Sequence, residues 1–199
     1  MLNNLASNEL QVATKLIFDG LSMAKSSMEQ ILQSPITIKT IDYGNTEKEL
    51  PTVSPNEGDA VHIIKTSLIG ELQGTSHLVF SEADVERICR ACLPAKVLEE
   101  DTPENQMMRL GFLTEIDNMV AAAVITEFSN FLEVDIYGHV PTLQVVKANE
   151  VKQYFEDESK SFDSLIHFQA IFHGKELDIS PDFVWIFQNE LVDKIKQFV

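Results

Sequence analysis

Two long stretches of the chain carry apolar residues at helical spacing without an internal proline, about 9–33 and about 104–132. Each is predicted to be a long helix. Short β-rich runs follow each of them: 35–42, 60–68 and 71–80 after the first, 134–145, 164–173 and 176–179 after the second. Gly70 and Gly74 break the run DAVHIIKTSLIGELQGTSHLVF into a hairpin, and Gly174 marks the corresponding turn in SLIHFQAIFHGKELDIS. A second helix is expected to close each half. Ser81 is a suitable N-cap for the first, with Glu82 and Asp84 in the opening turn where the helix dipole favours acids. Ser180, with Pro181 at the first helical position, is expected to start the second. That assignment makes Phe183, Trp185 and Phe187 the core of the last helix. The acidic, proline-containing stretches 44–59 and 99–105 read as loops, and so does the charged stretch 147–163.

The two series of elements run in the same order, about 100 residues apart. Leu32 and Ile36 fall on Leu132 and Ile136; Leu78, Phe80 and Ser81 fall on Leu177, Ile179 and Ser180 at an offset of 99. A diverged internal duplication, about 1–100 and 101–199, accounts for this. The expected fold class is α/β in the broad sense (α+β). One domain is made of two pseudo-symmetric halves on a shared sheet, each with a long helix, antiparallel strands and a second helix.

Composition narrows the function classes. The 199 residues include 31 Asp+Glu against 15 Lys+Arg, a formal net charge of −16. Such a surface repels phosphate backbones and anionic lipid, so neither nucleic acid nor a membrane is an expected partner. With 44% hydrophobic residues, 8 Gly and 7 Pro, the chain can bury an ordinary core. No stretch approaches the roughly 18 apolar residues of a bilayer span. The opening MLNNLASNEL lacks the pattern of a signal peptide, and the two cysteines suit a reducing compartment, so a cytoplasmic setting is expected.

The helix over 104–132 is the informative element. At about 100° per residue, Leu113, Ile116, Val120, Val124, Phe128 and Phe131 gather on one side. Gly111, Glu115, Asn118 and Ala122 gather on nearly the opposite side. Glu115 and Asn118 are three apart and therefore neighbours, with almost no side chain above or below them. Such a face can lie flat on another protein and project a carboxylate and a carboxamide into it. The same spacing also describes a solvated helix face, on which Glu-x-x-Asn is a common pair. Glu127 falls toward the apolar side and fits neither description.

Other constellations carry less. Cys89 and Cys92 have C-x-x-C spacing, but there is no second pair to complete four zinc ligands, and the motif is mid-helix, where such cysteines are usually core. His62, His77, His139, His167 and His173 are scattered over strand segments and form no metal-spaced pair. The chain has no glycine-rich phosphate loop and no nucleophile elbow.

The run from Glu115 and Asn118 through an Ala/Thr/Ser-rich stretch to Ser129 and Asn130, with Pro141 following a strand, resembles the active-site helix of the CheC/CheX/FliY family of chemotaxis phosphatases. The likeness extends over nearly the whole chain, including ELQ at Glu9–Gln11 and the strand after Gly70–Gly74. The resemblance implies a CheC-like fold and hydrolysis of the aspartyl phosphate of a CheY-type response regulator. It gives Asn118 the role of orienting the attacking water and Glu115 that of pairing with the regulator's active-site lysine, with Gly111 and Ala122 as partner-contact positions. It implies no cofactor or metal of the chain's own, since Mg²⁺ belongs to the regulator.

Two departures stand out. Gly111 occupies a position where the family motif carries Asp or Ser, and Lys15 and Phe18 stand in the first half where Glu115 and Asn118 stand in the second. One site of two is therefore expected. The alternative is a non-catalytic CheC-like module that docks a response regulator, a flagellar-switch component or a CheD-type deamidase. A monomer and a homodimer are both compatible with the resemblance.

Overall fold

A computed structural model describes residues 5–44, 59–162 and 166–199, so all but the ends of the expected 44–59 loop lies outside the described residues. The order of elements is α1 (Ser7–Leu32), β1 (Thr37–Gly44), β2 (Ala60–Gly70), β3 (Gly74–Ser81), α2 (Glu82–Cys92), α3 (Ala95–Glu99), α4 (Pro103–Leu132), β4 (Ile136–Gly138), β5 (Thr142–Lys147), a single 3-10 turn, α5 (Val151–Ser159), β6 (Ile166–His173), β7 (Asp182–Phe187) and α6 (Glu190–Phe198).

The strands form one antiparallel sheet in the order β1-β6-β7-β3-β2-β4, with β5 continuing the β4 edge along β2. The order is symmetric under exchange of the halves. β3 and β7 pair at the centre, β2 and β6 flank them, and the first strand of each half pairs with the second strand of the other. The long helices repeat the relation. α1 ends at Gln33 (φ 48°) and α4 at Glu133 (φ 53°), both left-handed and both followed by a buried isoleucine, Ile36 and Ile136.

Alternation along the strands builds two cores. Ile64 and Leu68 of β2, Leu78 and Phe80 of β3, and Phe183, Trp185 and Phe187 of β7 face α1, α4 and the shorter helices. Val61, Ile63, Val79, Val184 and Ile186 face the other way, beneath Val151 and Phe155 of α5. The result is three layers, with α1 and α4 side by side on the main face. Gly20 lets them approach: a Cβ there would lie 2.9 Å from Phe128 Cε1. Phe128 in turn stacks on Phe187 and Trp185 at centroid distances of 5.6 and 6.3 Å.

Several expectations are corrected. Residues 182–187 form a central strand and not the start of a helix. All six are buried, because helices cover both faces of the sheet, and a strand buried on both sides shows no alternation. Phe183, Trp185 and Phe187 are therefore core of β7. The segment 176–179 is a turn closed by the bridge Gly174–Ile179, so β7 and not 177–180 corresponds to β3. The connection between β6 and β7 is longer than the Glu71–Gln73 link between β2 and β3, which displaces the offset.

Ser180 caps no helix; its N–H donates to Asp84 Oδ1 across the halves at 3.1 Å. Within 147–163 lies α5, whose Val151, Phe155 and Ser159 are buried in an otherwise charged sequence. The expected loop 99–105 is only a short break between α3 and α4, and the run 134–145 splits at Pro141 into β4 and β5. Ser81 does cap α2, accepting from Asp84 N at 3.1 Å while Asp84 Oδ2 accepts from Ser81 N at 3.2 Å.

Candidate functional site

α4 is fixed at its start by the Thr102 side chain, which accepts from Asn105 N at 3.2 Å, with Pro103 at the first position. Its apolar stripe is buried as expected at Leu113, Ile116, Val120, Val124 and Phe128. Phe131 is half-buried, against Phe198 at 5.0 Å. On the opposite side Gly111, Glu115, Asn118 and Ala122 are all exposed. A Cβ on Gly111 would meet nothing within 4 Å. Among the described residues, neither Glu115 nor Asn118 is engaged by a hydrogen bond or ion pair, so both side chains are available to a partner. Thr114 and Thr126 on the flanks are satisfied by backbone carbonyls one turn back, each at 2.8 Å. Glu127 is half-buried, and nothing in the structure explains its place.

Asn118 also borders a groove of about 390 Å³ between α4 and the β2–β4 edge, walled by Thr66, Ala122, Ser129, Tyr137 and Gly138. Several large apolar side chains of α4 and the β4 edge are exposed. Met107 is 74% exposed and Tyr137 61%, and Met108, Met119 and Val140 are also exposed. Methionines adapt their shape to a contacting surface at small cost. An exposed carboxylate and carboxamide on a helix that also exposes Met107, Met108 and Met119 form a surface that suits a protein partner better than a small molecule.

Sequence reasoning missed what lies beneath. Asp117, between the two exposed residues, points inward and is fully buried. Thr66 Oγ1 of β2 donates to its Oδ2 at 2.7 Å, while Oδ1 has no partner among the described residues. Burial pushes its carboxyl up to about 7, and the Thr66 hydrogen bond only partly offsets this. The signal was present in the periodicity, because residue 117 falls within the same apolar stripe as Val124 and Phe128.

The first-half counterpart is differently occupied. Lys15 pairs with Asp19 at 2.6 Å and lies over the Phe131 ring at 5.1 Å, and Phe18 is exposed. Lys15 thus serves the packing of α1 on α4, and no carboxylate–carboxamide pair exists there. A further cavity of about 510 Å³ lies beside the start of α4, lined by His62, Glu82, Cys89, Arg90, Leu98 and Arg109. It does not include Glu115 or Asn118.

Cys89 is buried and Cys92 half-buried, both free, and burial raises both thiols above their ordinary value. His62 is held by Glu82 at 2.7 Å, His77 and His167 are buried, His173 meets Ser180 Oγ at 3.1 Å, and His139 is exposed. Among the described residues, no group of three or more His, Cys, Asp or Glu side chains is arranged to hold a metal, and no helix is long and apolar enough to cross a membrane.

No family model and no curated protein matches the chain in sequence. Its fold is that of solved chemotaxis proteins of the CheC/CheX/FliY type. FliY from Thermotoga maritima superposes with a TM-score of 0.63 at 18% identity, covering 98% of this chain and 97% of that one. The FliG–FliM complex from H. pylori matches with a TM-score of 0.58 at 14% identity, over 95% and 100% of the two chains. CheX from the CheX–CheY–BeF3–Mg²⁺ complex of Borrelia burgdorferi matches with a TM-score of 0.52 at 17% identity, over 86% and 96%.

Proposed function

We propose that this chain is a cytoplasmic phosphatase that hydrolyses the aspartyl phosphate of a CheY-type response regulator, using Glu115 and Asn118. The observation that carries the reading is the pair itself. A carboxylate and a carboxamide stand one turn apart on an exposed helix face, free of partners within the chain, amid small residues and exposed methionines. The CheX–CheY complex, a structural neighbour, supports a regulator as the class of partner.

The chemistry asks for little more than these two groups. An aspartyl phosphate is an acyl phosphate, and its hydrolysis is governed by placing a water in line with the leaving carboxylate. Asn118, inserted into the regulator's site, holds that water through its carboxamide, which can donate to one oxygen and accept from another. Glu115 pairs with the lysine beside the regulator's phosphoryl group and so fixes the depth and rotation of α4. A divalent cation, if used, would be held by the regulator's own acids and would offset charge on the phosphoryl group. Gly111 and Ala122 keep the face low enough for close approach.

A second reading has a specific observation on its side. FliM from the FliG–FliM complex shares the fold, and the first-half position has Lys15 and Phe18 in place of a site. On that reading the chain docks a regulator or a flagellar-switch component without hydrolysis. Following phosphate loss from a phosphorylated CheY-type protein separates the two. Hydrolysis accelerated by the wild type, and slowed by Glu115→Ala and Asn118→Ala alike, supports the phosphatase. Tight binding without acceleration supports the docking module.

A further inference from the structure

We propose that Asp117 is a positioning residue for the Glu115–Asn118 pair, and that it holds α4 on β2 as the uncharged acid, so that loss of its proton loosens the seat of Asn118. The inference rests on the phosphatase reading for its effect on rate, but on geometry alone for its effect on Asn118.

The geometry is a short chain of contacts. Asp117 and Asn118 are consecutive, one pointing into the core and one outward. Asp117 meets Thr66 at 2.7 Å, and Thr66 forms a wall of the groove that Asn118 borders. The wall is tight on its far side as well, since a Cβ on Gly138 would lie 3.2 Å from Thr66 Cγ2 and 3.0 Å from Ile125 Cδ1. A side-chain hydrogen bond from an α4 residue to the sheet fixes both the height and the rotation of the helix. Apolar packing alone, which is non-directional, fixes them less well.

The charge state follows from what surrounds the group. A buried carboxylate needs two or three donors or a cation, and here one oxygen has a single donor and the other has none. None of the described cations on the elements packed against α4 donates to Asp117. On α1, Lys15 is held by Asp19 and Lys25 by Glu29, while Glu9 lies at the far end of the helix, bonded to Ala6 N. On β2, Lys65 is on the opposite sheet face with Glu158, and His62 is bonded to Glu82; on β3, His77 also lies beside Glu158. Lys147 ends β5, and Lys194 of α6 is paired with Glu71. On α4 itself, Arg109 is paired with Asp101, and Glu115 points to solvent. The neutral acid is therefore the form that fits. The ionised form draws water toward the groove beneath Asn118, which Thr66 walls, and displaces the helix there.

The test uses the full chain, with Asp117→Asn as the isosteric, non-titrating variant that can still accept from Thr66, and Asp117→Leu as the variant that removes the bond. In NMR titrations from about pH 5.5 to about pH 8.5, the Asn118 side-chain amide signals of the wild type shift with an apparent pKa near neutrality, and those of Asp117→Asn stay fixed. If the wild-type Asn118 signals do not titrate in this range, or titrate equally in Asp117→Asn, the inference is overturned. In the dephosphorylation assay, corrected at each pH for the regulator's spontaneous loss, the wild-type rate falls by about fivefold or more between about pH 6 and about pH 8, Asp117→Asn gives a flat profile, and folded Asp117→Leu is slow throughout. Titrating Asn118 signals in a protein with no phosphatase activity would keep the positioning role and discard the phosphatase reading. A wild-type rate independent of pH would overturn the coupling.

Discussion

Two helical glycines give a prediction of opposite sign for the same substitution. Gly20 sits mid-helix in α1 and Gly111 in the third turn of α4. Alanine in place of glycine in a helix interior is worth about 1 kcal/mol through backbone entropy, and that gain is common to both. The steric terms differ. At Gly111 the new methyl meets nothing within 4 Å. At Gly20 it would lie 2.9 Å from Phe128 Cε1 and 3.3 Å from Val124 Cγ1. The Phe128 ring cannot swing away, because it stacks on Phe187 with only 12° between planes and lies against Trp185 and Phe168. Overpacking of this kind costs about 1–3 kcal/mol. Gly111→Ala is therefore expected to stabilise the fold by about 1 kcal/mol, and Gly20→Ala to destabilise it by as much as about 2 kcal/mol. Subtracting one from the other cancels the backbone term and leaves the contact between α1 and α4. Urea unfolding at equal slope measures both, and at this chain length about 1 kcal/mol also moves Tm by roughly 2–4 °C. Equal shifts in the same direction would refute the close approach of the two helices at Gly20.

Further expectations concern pH. Burial alone would raise the Glu158 carboxyl, but His77 beside it and the Lys65 ammonium at 2.5 Å hold it down at about 2, while burial lowers His77. A depressed carboxyl stabilises the fold above its unfolded value and loses that contribution as pH falls toward about 2. Allowing for solvent screening of the half-buried pair, Glu158→Gln should cost about 1 kcal/mol at neutral pH and nothing near pH 2, as read by unfolding at several pH values. Asp117 has the opposite sign. Its carboxyl is raised by burial to about 7, so its ionisation destabilises the fold progressively between about pH 4 and pH 7. Asp117→Asn should remove this slope, gaining up to about 4 kcal/mol above neutrality, and an unchanged slope would contradict the buried acid.

The legible part of the fold was the part governed by one buried face. α1 and α4 show clean stripes, and Ser81 shows its cap, so both long helices and α2 could be placed from residue types alone. β7 was not legible because helices cover both sides of the sheet, and DFVWIF then has no period to distinguish a strand from a buried helix. α5 was hidden for the reverse reason: only Val151, Phe155 and Ser159 are buried, amid charges that read as a loop. At the candidate site, the exposure of Glu115 and Asn118 was legible because their outward spacing is regular. Asp117 lies in the buried stripe of the same helix, where one acid among apolar residues carries no pattern of its own. Thr66 could not be linked to it, because the contact joins residues 51 positions apart through sheet pairing that no local pattern reveals.

In the proposed phosphatase, Asn118 places the attacking water on a regulator's aspartyl phosphate. The direct measurement is single-turnover loss of labelled phosphate from a phosphorylated CheY-type regulator, at concentrations that saturate binding, by the wild type and by Asn118→Ala. Saturation removes any difference in docking, so the rate reports only the chemical step. The expected loss for Asn118→Ala is on the order of 10²-fold, the scale of one oriented polar group at a transition state. An Asn118→Ala rate equal to that of the wild type would contradict it.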